Sequence, residues 1–171
     1  MKNKNYIKTV FVCLLATTVL SSCLKDKRYV DSKDVGATID LPAVAYNGEY
    51  NNITIAASPT LVAYPVLVNV SVPTALTTAV HVVLKVDPAA LTAYNLTLPV
   101  DSPKYTLMST TAYNITDLTA TVPANQTAGH ITVNFNTSAI LTTDILPLSI
   151  ASTDAGTITQ YKTILYHVTV K

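Results

Sequence analysis

Catalysis in this chain of 171 residues would fall to a small set of side chains. The histidines are His81, His130 and His167, the sole glutamate is Glu49, and the aspartates stand singly. A metal site needs two or more histidines converging with carboxylates, and neither H-x-H nor H-E-x-x-H spacing occurs. Glycoside hydrolysis needs two carboxyl groups roughly 5 to 10 Å apart across a cleft, and no short motif brings two together. Serine and threonine are abundant, but there is no G-x-S-x-G elbow. The expectation is a non-catalytic protein with no metal and no cofactor. His81 and His167 fall at outward positions of alternating segments, and His130 follows Gly129 at the start of another. Solvent-facing histidines are expected.

The ten tyrosines offer more. Tyr46 and Tyr50 flank Asn47-Gly48, a turn signal, and Tyr94, Tyr105 and Tyr113 lie in a loop-rich stretch. Such rings can stack on sugar faces, although tryptophan, the best stacking residue, is absent. The competing reading is that corner tyrosines hydrogen-bond back to the main chain. Asp101, Lys104 and Asn114 could orient a polar ligand. Recognition groups tend to sit on loops held by a rigid scaffold, so a ligand site is expected on loops and not on a sheet face.

Cys23 raises a different question. Lys2, Lys4 and Lys8 precede an apolar run from Val10 to Leu20, about a dozen residues against the ~20 of a spanning helix. The run ends in Leu20-Ser21-Ser22-Cys23, which resembles a bacterial lipobox. In that motif the cysteine becomes the first mature residue and carries lipid. This divides the chain into a lipoprotein signal peptide (1–22), a lipidated tether (23–35) and a folded domain (36–171). Cys13 leaves with the signal, so no disulfide is expected. Several acyl chains at ~0.8 kcal/mol per buried methylene would hold the protein on the outer membrane. Lys25-Asp26-Lys27 carries a single acidic residue behind Cys23, and whether the protein faces the surface or the periplasm is left open.

Without the signal, eight basic side chains face ten acidic ones, and half of the basic ones lie in the tether. No basic patch remains for a nucleic-acid partner. Six Asn-x-Ser/Thr triplets, the first at Asn52, reflect a composition rich in asparagine and threonine.

The elements that must position these groups read as strands. Val62, Tyr64, Val66, Val68, Val70 and Val72 alternate with other residues, as do Val80, Val82, Leu84 and Val86, and the segments Ile131–Phe135 and Ile164–Val170. Thr38–Ala43, Asn52–Ala57, Leu118–Val122 and Asp144–Ser152 are further candidates. The expectation is an all-β, Ig-like antiparallel β-sandwich of about seven to eight strands. Val68, Val70, Val82, Leu84, Val133, Phe135, Ile164 and Val168 should form its core. Asp87-Pro88 opens a short helix expected to cap on Asp87 and cross between the sheets. Pro65 inside a strand suggests an edge.

The segments Val82–Asn95, Tyr105–Met108, Ala120–Val133 and Ile145–Ser152, in that order, resemble a domain of unknown function found at the N-terminus of many Bacteroidota cell-surface lipoproteins. The resemblance runs from about Asn52 to Lys171. It implies an Ig-like sandwich in proteins often linked to glycan capture, with a polysaccharide or an outer-membrane protein as partner, and supplies no catalytic residues. The domain often precedes a glycosidase-like or lectin-like module, and none is expected after Lys171. The competing class is a fimbrial or adhesin-type subunit assembling through strand edges.

Overall fold

Alternation becomes burial in the computed structural model, which describes residues 36–171; the signal segment, Cys23 and the tether lie outside the described residues. Every residue expected in the core is at most 2% exposed. Burying such a side chain contributes roughly 1.5 to 3 kcal/mol, so these faces dominate the fold.

The elements are β1 (Thr38–Asp40), α1 (Pro42–Asn47), β2 (Tyr50–Ile55), β3 (Val62–Ser71), β4 (Val80–Val86), α2 (Pro88–Thr97), β5 (Thr106–Leu107), β6 (Tyr113–Asn114), β7 (Thr119–Val122), β8 (Ala128–Phe135), a 3-10 turn (Thr137–Ala139), β9 (Asp144–Thr153), β10 (Thr157–Ile158) and β11 (Thr163–Val170). Sheet A has the order β10-β1-β3-β8-β6, and sheet B the order β2-β11-β9-β4-β7, with β5 also paired to β9. The sandwich stands, but its strands number eleven, because β5, β6 and β10 are two-residue pairings too short to leave a period. Nor is it wholly antiparallel: β1–β10, β2–β11 and β5–β9 are parallel.

The main core lies between the sheets. Tyr64 meets Phe135 and Tyr166 edge-on there, at centroid distances of 6.3 and 5.6 Å. Pro65 sits where β3 has only β8 beside it, because β1 reaches no further than Asn69–Ser71. The missing N–H is therefore harmless. At Gly129 strand β8 passes so close to β7 that any Cβ would collide with the Thr121 carbonyl.

The structure corrects the sequence reading at both helices, one of them expected as a strand. Thr38–Ala43 is not one strand: β1 stops at Asp40, and Pro42 starts α1, which buries Val44 and leads from sheet A to sheet B. Gly48, at φ 83°, ends that helix, with its N–H on the Val44 carbonyl. Asn47-Gly48 is thus a helix terminus and not a turn between strands. Helix α2 forms where expected but does not cross between sheets. It leaves β4 and returns through β5 to sheet B, laying Leu91 on the outer face against Ile145 and Leu165. Asp87 holds the N-cap position without making a side-chain cap bond; its carboxylate turns to the Lys85 ammonium, 3.3 Å away.

Candidate functional site

On the outer face of sheet B, the parallel pairing of β2 with β11 sets Tyr50 opposite Leu165 and Asn52 opposite His167. Burial alternates along β2 from Tyr50 onward, with Asn51, Ile53 and Ile55 inward, which turns Tyr50 outward. Helix α2 brings Tyr94 to the same place, and the chain entering β5 brings Tyr105. Leu91, Ile145 and Leu165 form an apolar floor beneath the three rings.

Tyr50 is the hub. Its ring stacks with Tyr94 at 5.7 Å and 14°, and with His167 at 5.8 Å and 23°. Tyr105 lies 5.6 Å from Tyr50, tilted by 39°, and its hydroxyl donates to the Tyr50 hydroxyl at 3.2 Å. Tyr94 and Tyr105 are 6.2 Å apart. Asn95 fixes Tyr105 from both sides, accepting from its N–H (3.0 Å) and donating to its carbonyl (2.9 Å). His167 is held by the Thr142 carbonyl at 2.8 Å from Nε2 and by Asn52 Oδ1 at 3.3 Å from Nδ1.

Burial among these rings pushes the Tyr50 phenol well above its ordinary value. Tyr94 is raised too, first by burial and then by the neighbouring Tyr105 and Glu49. Desolvation also raises Glu49, the residue preceding the hub. Phenols held neutral can donate, accept and stack, but they supply no base near pH 7. Among the described residues no three histidine, cysteine or acidic side chains gather where they could hold a metal ion.

The five tyrosines proposed from sequence therefore divide. Tyr50, Tyr94 and Tyr105 converge. Tyr46 stands apart on α1, 87% exposed, and Tyr113 packs against the main core from β6. The cluster gathers on one sheet face from two strands, a helix and the loop that enters β5. The Lys104 ammonium donates to the Leu98 and Pro99 carbonyls at 3.0 Å each and so closes the end of α2. Asp101 is exposed in the following loop. Asn114 pairs opposite Asn134 in sheet A, away from the rings. Sequence reasoning missed His167 and Asn95. His167 points outward as alternation expects but is half-buried, because Tyr50 and Tyr105 pack against its ring. His81 does face outward, bonded through Nδ1 to Asp154 at 2.8 Å, and His130 is exposed.

Comparison with known proteins agrees with this architecture. The family model described as "-like, N-terminal domain" matches residues 33–157. Solved structures of similar fold include a multidomain protein including DUF1735 from Bacteroides ovatus (20% identity, TM-score 0.63, covering 79% of this chain and 45% of that one). An auxiliary nutrient binding protein from Bacteroides thetaiotaomicron is similar at 15% identity and TM-score 0.59, covering 72% and 44%. EndoBT-3987 of the same species, solved with a Man5GlcNAc product, is similar at 17% identity and TM-score 0.52, covering 70% and 28%. At these identities the likeness is one of fold. The chain spans about half the length of the first structures it matches. No curated protein matches it. The chain belongs to the N-terminal-domain family, a Bacteroidota domain of unknown function.

Proposed function

We propose that this protein is a non-catalytic, lipid-anchored binding module for glycans on the outer membrane, with the outer face of sheet B as its contact surface. The observation that carries the reading is the convergence of Tyr50, Tyr94, Tyr105 and His167 on that face, from two strands, a helix and a loop. Tyr94 and Tyr105 are only half-buried and offer aromatic surface beside hydroxyls, a combination suited to sugar rings. Two proteins of similar fold support the ligand class: one is a nutrient binding protein, the other holds an oligosaccharide product.

Affinity electrophoresis of the full chain against a panel of neutral and acidic polysaccharides tests the binding role. Removing the Tyr94 and Tyr105 rings together should weaken retardation at least about tenfold, while the untouched core between the sheets keeps the sandwich folded. Unchanged retardation in that variant would sink the assignment to this face. Absence of any binding, with concentration-dependent assembly instead, would favour a subunit that pairs through strand edges. For the anchor, Cys23→Ala should abolish lipid labelling and membrane retention. Wild-type processing in that variant would refute the lipobox.

A further inference from the structure

We infer that the same sheet face carries a subsite for a sugar carboxylate, built by Lys85 and Lys162 around the hydroxyls of Ser149 and Thr163. This rests on the glycan-binding reading and names its substrate class: polysaccharides containing uronic acid.

Cations are scarce among the described residues: Lys85, Lys104, Lys162 and Lys171. Lys104 is engaged at the end of α2. Two of the remaining three, Lys85 and Lys162, line one groove of about 240 Å3, together with Asp87, Ser149, Ala151 and Thr163. That volume lies below the ~300 Å3 where pockets for drug-sized ligands begin, and suits a single ring.

Register explains how the groove is built. Lys85 pairs opposite Ser149, and Ser149 opposite Thr163, so three strands set these side chains in one row of the outer face. The β4–β9 register slips between Val83 and Leu84, which leaves Ala151 of β9 without a partner. This bulge bends the strand and places a methyl group where a larger side chain would fill the groove. The hydroxyls of Ser149 and Thr163 lie 2.8 Å apart at its floor, Ser149 being only 3% exposed.

The charges are arranged for an anion. Asp87 is already matched by Lys85. Burial alone would raise its carboxyl, but Ser149 and Lys85 together bring it below the usual value, so it stays ionised and can accept from a sugar hydroxyl. Lys162 has no ion-pair partner among the described residues, leaving the groove one positive charge in excess. An ammonium is a compact charge with three donors, enough for one carboxylate and far short of a polyanion track. The next outward position on β11 is Leu165, which pairs with Tyr50. The groove therefore adjoins the aromatic cluster on one face, about 7 Å along the strand.

The test is calorimetric titration of the full chain with a galacturonic-acid hexamer and with its methyl ester, which keeps the rings and removes the charge. The free acid should bind at least about tenfold tighter, and that preference should shrink with added salt. Lys162→Glu should erase the preference, and Lys171→Glu, the same charge change outside the groove, should keep it. Equal affinity for acid and ester, or equal losses in the two variants, would overturn the subsite. Binding of neutral polysaccharides without acid preference refutes the subsite alone, whereas binding of no glycan at all refutes the functional reading with it.

Discussion

The molecule has two apolar regions built on different terms. The core between the sheets draws on both sheets, and every strand of four or more residues contributes two or more inward residues locked by register. The cluster outside sheet B has three buried aliphatic residues, Leu91, Ile145 and Leu165, roofed by tyrosines and a histidine that are only half-buried. The inner region makes the fold. The outer one attaches a helix to a finished sandwich, and its groups keep polar edges in contact with water. A recognition surface can occupy the second kind of region, because its side chains can change without removing the scaffold.

Phe135→Ala should be the most damaging way to break this contrast. The ring is fully buried beside Tyr64, and its loss should cost about 3 to 5 kcal/mol, read as a large drop in the denaturation midpoint. Leu91→Ala should cost less, about 2 kcal/mol, and mostly locally. Amides of α2 should exchange faster with solvent while those of β3 and β8 keep their protection. If both regions lose protection together, they are one core and the distinction fails.

The smallest effect concerns the surface pair His81–Asp154. Asp154 accepts from the His81 ring and from its N–H at 2.9 Å, and these bonds, the ring's first, hold its carboxyl below the ordinary value. A depressed acid stabilises the folded state above its unfolded pKa of about 3.9, and that contribution fades as pH falls through the folded value. Carboxyl NMR titration should show Asp154 releasing its proton below the unfolded aspartate value, and His81→Ala should move it upward. No upward movement would mean that the contact is not maintained in solution.

Sequence made the inner region legible and the outer one only in part. Period two is imposed wherever one strand face is buried, so Val68, Val82, Val133 and Ile164 announced themselves. Tyr50, Tyr94 and Tyr105 stood out as residue types, but their convergence depends on β2 lying parallel to β11, a pairing across more than a hundred residues that leaves no local trace. His167 was missed for that reason. Helix α1 was missed for a different one: at six residues it is too short for a helical period, and only Pro42 and Gly48 mark its ends. Sequence neighbours grouped the tyrosines into loop stretches, whereas the structure groups Tyr50, Tyr94 and Tyr105 by the face their segments share.

The pairing of β2 with β11 also governs when the domain can form. Among the described residues, β2 pairs in sheet B with β11 alone, and in sheet A β1 completes its pairing with β10. Even the residues beyond β2 wait for the end of the chain, since Ala57 donates to the Lys171 carbonyl at 2.7 Å. A ribosome or a translocation channel releases the early strands long before their mates. Such distant closure makes folding slow and leaves β2 an open template meanwhile. Sheet B therefore closes on that side only once β11 is free to pair, and until then the hydrogen-bonding edge of β2 stays open to other strands.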